Sequence, residues 1–184
     1  MEFLNRVVYL RETTNWLKSI KSEKLEAMEI SGELCKRWPF KSIRHLKFPR
    51  YDICAEPFVD EAGDVLQFDI ILAEQIWEHL DRPYKAVQNV HAMLRPGGYF
   101  WLASPFFAKF HGAPVDCSRW SARGMKNLLI EAGFEADKIE AYQWGNRAAG
   151  RRDMKPSWAK YDPDRDSLDD DPNFPIMTWA MARR

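Results

Sequence analysis

Three short stretches of this 184-residue chain hold side chains able to do chemistry at a bound ligand. The loop FHGAPVDCSRW carries His111, Asp116 and Arg119. Histidine takes a proton near neutral pH, aspartate orients or charge-stabilises it, and arginine grips an anionic group with two parallel N–H bonds. A plainer reading stands beside this one: Asp116 and Arg119 pair to pin the loop, and His111 bonds to backbone. Phe106, Phe107, Phe110 and Trp120 add an aromatic wall or core packing around the same loop. Glu74, Gln75, Glu78 and His79 follow the apolar run Phe68 to Ala73, and Glu29, Ser31 and Gly32 stand where the run Leu25 to Ile30 ends. In the EHL triplet His79 reads as a structural residue rather than a catalytic one.

These residues need a scaffold, and the centre of the chain supplies one. Phe68 to Ala73 is short, rich in Ile and Leu and bounded by polar residues, as befits a strand buried on both faces of a parallel sheet. Pro83 fits the first turn of a helix, and Ala86, Val87, Val90, Met93 and Leu94 form one apolar stripe along it. Arg95-Pro96-Gly97-Gly98 should end that helix, after which Tyr99 to Ser104 resumes a strand. Such a β-α-β unit has parallel strands and a right-handed crossover. Open parallel sheets bind ligands outside the carboxyl ends of their strands, which places Glu74, Gln75 and the loop after Phe106 at a cleft.

Elements on either side follow the same reasoning. Leu4 to Ile20 reads as an amphipathic helix with Arg6, Arg11, Glu12 and Lys18 largely outside its apolar face. Leu25 to Ile30 and Ile43 to Phe48 read as strands with a short helix, Glu33 to Trp38, between them. Glu56 to Gln67 is a polar loop. Ser121 caps a helix that Gly133 stops, and Lys138 to Trp144 and Ile176 to Met181 are further strands. The division expected is one domain over 1–184: a helix over 1–23, a core over 24–144, a surface insertion over 145–175 and a last strand over 176–184.

Composition narrows the function classes. With 46% hydrophobic residues the chain can bury one sizeable core. Lys plus Arg and Asp plus Glu both number 27, so no global field favours nucleic acid or an anionic membrane. No apolar run approaches the roughly 18 to 20 residues that span a bilayer, and charges interrupt the N-terminus, which makes a cytoplasmic location the expectation. Cys35, Cys54 and Cys117 contain no CxxC pair, arguing against disulfides or a zinc knuckle, and Cys117 reads as a small, partly buried thiol. Asp169-Asp170-Asp171 reads as a solvated loop. No metal site is expected.

The ordered set of EHL, LRPGG, PF, H-x-x-P-x-D-x-x-R and GF, spread over Lys24 to Phe134, resembles the class I S-adenosylmethionine-dependent methyltransferases, in particular small bacterial members. The resemblance implies an α/β, Rossmann-like fold with a mostly parallel central sheet and an antiparallel last strand, in abbreviated form. It implies S-adenosylmethionine as cofactor, a small-molecule acceptor methylated at oxygen or nitrogen, no nucleic-acid or membrane partner, and leaves room for a homodimer. Glu29, Ser31, Gly32, Asp52, Ile53, Glu74 and Gln75 are the cofactor neighbours it implies, with His111, Asp116 and Arg119 on the acceptor side.

Two departures from the family pattern stand out. The glycine-rich turn, usually E/D-x-G-x-G-x-G, is reduced to Glu29-Ile30-Ser31-Gly32. Lys47 occupies the place of the acid that accepts from both ribose hydroxyls, work that needs a carboxylate. They favour the alternative of a methyltransferase-fold protein without methyl transfer, a binding or partner subunit or an enzyme of recast chemistry. A nicotinamide-dependent oxidoreductase is disfavoured, since G-x-G-x-x-G is missing after the first strand.

Overall fold

Central strands buried on both faces are covered by amphipathic helices in the computed structural model, which describes residues 1–184. The strands are β1 (Glu26–Ile30), β2 (Ser42–Leu46), β3 (Phe68–Glu74), β4 (Leu94–Pro105), β5 (Ile139–Trp144) and β6 (Met177–Arg183). They form one sheet in the order β2-β1-β3-β4-β6-β5. β2, β1, β3 and β4 pair in parallel, and β6 runs antiparallel to both β4 and β5. This is the Rossmann-like arrangement expected, including the reversed last strand.

The helices cover the two faces of the sheet. α1 (Val7–Ser19) packs Val8, Tyr9, Leu10 and Leu17 with Ile70, Leu72, Trp101 and Trp179 on one side. α2 (Pro83–Met93) and α3 (Ala122–Glu131) pack on the other, against Ile71, Phe100 and Leu102. Proline in the first turn opens α2, where its missing N–H costs nothing. Ser121 caps α3 by accepting from Gly124 N at 3.1 Å, and Gly133, at φ +106°, ends it. No helix is long and apolar enough to cross a membrane.

Two segments differ from their sequence-based descriptions. Arg95-Pro96-Gly97-Gly98 is not a turn after the helix; β4 already begins at Leu94 and takes the four residues in as an irregularity opposite Phe68 and Ile70. Arg95 makes this possible by pairing with Asp69 and Glu26, each at 2.8 Å, across three strands. Within 145–175, a short helix α4 (Arg147–Asp153) buries Ala149, Gly150 and Asp153, and Ala159 O accepts from Leu4 N at 2.8 Å. That segment is therefore partly core. Its apolar content is too sparse and too interrupted by charge for the pattern to be read in advance.

The abbreviation lies between β2 and β3, where 47–67 contributes no strand or helix. Ile53 and Phe58 anchor it in the core, and Asn89 Nδ2 donates to Ile53 O at 2.7 Å.

Gly98 is the tightest point of the β4 irregularity: a Cβ there would lie 2.9 Å from Arg95 O and 3.0 Å from Asp69 O. Gly98→Ala should destabilise the fold by about 1–3 kcal/mol, read as a lower urea midpoint at unchanged slope.

Candidate functional site

The carboxyl ends of β1, β3 and β4 lie side by side, since Glu29 aligns with Leu72 and Glu74 with Ala103. Two of them, β1 and β3, break sharply there. Ser31 and Gln75 both take the left-handed conformation, at φ +59° and +51°, so the chain leaves the sheet abruptly at both positions.

Glu29 is fully buried and its two oxygens are engaged by the turn that follows. Oε1 accepts from Leu34 N at 2.7 Å and Oε2 from Cys35 N at 2.9 Å, which caps the single 3-10 turn Leu34–Arg37. Gly32 is required beside it, because a Cβ would fall 2.3 Å from Glu29 Oε1. The structure thus joins Glu29, Ser31 and Gly32 in one unit in which the carboxylate shapes the turn. Lys47 pairs with Glu33 at 2.7 Å next to it.

At the end of β3, Glu74 is met by the N-terminal segment. Arg6 Nε lies 3.0 Å from Glu74 Oε1, and the Tyr9 hydroxyl donates to the same oxygen while accepting from Gln75 Nε2 at 3.3 Å. Burial raises the Glu74 carboxyl, opposed by the Arg6 charge, and pushes the Tyr9 phenol up as well. Sequence reasoning missed Arg6 and Tyr9. The helical pattern put Arg6 outside the apolar face, and nothing local signals that it turns toward Glu74. Asp52 is exposed and accepts from Cys54 N in its own turn at 2.9 Å, while the Ile53 side chain belongs to the core. No hydrogen bond or ion pair links Asp52 to Glu29 or Glu74.

The acceptor-side loop is held by a different set of contacts. Arg119 grips Asp116 with both guanidinium ends, which lowers the Asp116 carboxyl, and Asp116 Oδ2 accepts from His111 N at 2.6 Å. Asp116 therefore steadies the loop backbone rather than the imidazole. The His111 ring meets the rings of His79, at 4.7 Å, and Trp158, at 5.5 Å, both edge-on, and its nitrogens bond to no protein group. Burial, then the neighbouring His79, lowers its pKa and keeps it neutral with a free lone pair. Trp158 brings part of 145–175 into the site. Cys117 is exposed rather than partly buried.

Glu78 lies beneath this loop with no exposed surface. Its carbonyl accepts from Cys117 N at 2.7 Å, and Oε2 accepts from Ser104 Oγ at 3.1 Å. Burial pushes its carboxyl up to about 7. Beyond the end of β4, a cleft of about 330 Å³ is lined by Phe107, Arg147, Arg151, Met154, Phe174 and Ile176. Phe107 contributes to this wall, Phe110 points to solvent, and Trp120 packs against Tyr84.

Two expectations follow from the buried carboxyls. Glu29→Ala leaves two buried N–H groups without an acceptor and should cost about 2–4 kcal/mol in chemical denaturation. Asp153, 2% exposed, is raised by burial to about 6 from the usual 3.8. The folded state then holds more protons between pH 4 and 6, so this group's favourable contribution is full below pH 4 and lost as pH rises through 6. Unfolding free energy measured across that window should fall less steeply in Asp153→Asn than in the parent, by on the order of 2 kcal/mol.

Comparison with known proteins bears on this arrangement. A family model for the methyltransferase domain matches residues 11–102. No curated protein matches the sequence. Among solved structures, an S-adenosylmethionine-dependent methyltransferase from Mesorhizobium loti superposes with a TM-score of 0.59 at 14% identity, over 92% of this chain and 96% of its own. One from Archaeoglobus fulgidus gives 0.56 at 13% identity, over 95% and 94%. One from Thermotoga maritima gives 0.54 at 15% identity, over 97% of each. At such identities the likeness speaks for the fold, and the matched domain, half of the chain, speaks for the family. The chain belongs to the methyltransferase domain family, with the fold of the class I S-adenosylmethionine-dependent methyltransferases.

Proposed function

We propose that this protein transfers a methyl group from S-adenosylmethionine to an oxygen or nitrogen of a small-molecule acceptor. The observation that carries the reading is the adjacency of the Glu29-Ser31-Gly32 and Glu74-Gln75 turns at the carboxyl edge of a parallel sheet. Both are turns at which backbone can approach a ligand, and Glu74, held in place by Arg6 and Tyr9, lines the second of them. Asp52 and Ile53 belong to the same proposal as the outer wall of the cofactor site.

Methyl transfer from a sulfonium is an in-line displacement, so acceleration comes chiefly from holding nucleophile, methyl carbon and sulfur collinear. For a hydroxyl acceptor, His111 takes the proton; its free lone pair and lowered pKa suit that role. Asp116 and Arg119 hold the loop that carries it. The cleft between Phe107 and Phe174, with Arg147 4.1 Å above the Phe174 ring, supports an acceptor with an apolar body and an anionic group. Balanced net charge and three free cysteines support a cytosolic protein acting on small molecules.

A second reading, the same fold binding without transferring, is favoured by the Lys47–Glu33 pair standing where an acid would accept from the ribose hydroxyls.

Calorimetric titration with S-adenosylmethionine tests cofactor binding, and release of S-adenosylhomocysteine tests transfer. Saturable binding and a raised melting temperature are expected, about 4 kcal/mol of stabilisation at a thousandfold excess over Kd; no heat and no shift at millimolar cofactor would overturn the proposal. His111→Ala should bind cofactor as the parent does and release S-adenosylhomocysteine about 10²- to 10⁴-fold more slowly with hydroxyl acceptors. Equal loss of cofactor affinity in this variant would contradict the roles given.

A further inference from the structure

Glu78, His79 and His111 each present one ligand atom within 4.8 Å of the other two. One carboxylate and two imidazoles, with further positions open to solvent or substrate, is the donor set of catalytic zinc centres. Three features of the cluster answer to that use. Glu78 Oε1 is buried without any hydrogen-bond partner, an expensive state for a carboxylate oxygen in a fully buried side chain. It lies 3.9 Å from His79 Nε2. His79 Nδ1 donates to Val115 O, which leaves Nε2 as the ring's free lone pair on the side of Glu78.

Around these atoms stands the support that metal ligands need. A ligating histidine gives its other N–H to a carbonyl or carboxylate, and a ligating carboxylate is itself hydrogen-bonded. His79 has Val115 O, and Glu78 has Ser104 Oγ on its remaining oxygen at 3.1 Å. Zinc bonds of about 2.0–2.2 Å hold ligand atoms about 3 to 4 Å apart. The widest separation must therefore shorten by about 1 Å, and His111, on an irregular loop with unbonded ring nitrogens, can supply that movement.

We propose that Glu78 Oε1, His79 Nε2 and one ring nitrogen of His111 bind a divalent transition-metal ion of the zinc class at the acceptor-side mouth of the site. The sequence had pointed to no metal, because the ligands arrive as an adjacent pair and a single residue from a distant loop. This inference goes beyond methyl transfer and does not depend on it. An ion bound here occupies the His111 lone pair, so His111 serves as a proton acceptor only in the metal-free protein.

The test uses the whole 184-residue chain stripped with chelator and titrated with zinc chloride by calorimetry, without cofactor. One equivalent should bind, with affinity at least 100-fold weaker in His111→Ala and in Glu78→Gln, and unchanged in Cys117→Ser. Cobalt(II) should give a visible d–d spectrum in the parent that His111→Ala abolishes. Circular dichroism checks that each variant is folded; His111→Ala, on the surface loop, decides the matter should Glu78→Gln fail to fold. Less than a tenth of an equivalent of bound zinc, undiminished binding in His111→Ala, or binding lost in Cys117→Ser instead would each overturn the assignment. Because no cofactor is present, the result is distinct from that of the S-adenosylmethionine titration.

Discussion

Enclosure of three carboxylates, Glu29 and Glu78 fully buried and Glu74 with its side chain 10% exposed, at the carboxyl edge of a sheet covered on both faces is the constraint that organises this molecule. A carboxylate shielded from water must find donors or give up its charge. Glu29 does so with backbone N–H groups, and in meeting them it shapes the turn after β1. Glu74 does so with Arg6 and Tyr9, and that contact seats the N-terminal helix over the strand ends. Glu78 is only half satisfied. Its Oε1 is the one fully buried carboxyl oxygen of the three groups without a partner, and the two histidines gather at that oxygen.

The same constraint accounts for how a shortened chain closes its site. Residues 47–67 give the sheet no element, so cover must come from elsewhere. Arg6 and Tyr9 cover the end of β3 from one side, and Trp158, beyond α4, reaches His111 from the other. The Leu4–Ala159 hydrogen bond and the Glu2–Tyr161 contact at 2.9 Å tie these two covers together. N-terminus and late insertion thus act as one wall.

Much of the architecture was legible in advance because burial leaves a periodic mark. The runs around Ile70 and Met28, the stripe from Ala86 to Met93, the Ser121 cap and the Gly133 stop all lie in the structure where their patterns put them. Arg95 to Gly98 was misplaced since Pro and Gly mark a break in regular pairing without saying whether helix or strand contains it. At the site, His111, Asp116 and Arg119 were identified as one loop, but the plainer of the two readings of Asp116 and Arg119 is the one the geometry holds.

By itself, the sequence determined the class of fold, the strand ends where ionisable residues gather and the family, since these rest on local periodicity and on motifs of short span. Tertiary structure alone decided what each charged residue touches. Arg6 and Tyr9, which meet Glu74, lie 65 or more positions away in the chain, and His111 meets His79 and Trp158 only because loop and insertion converge on one strand end. Desolvation and pairing act through space, so a residue's charge state and free lone pairs follow from neighbours that no local pattern records.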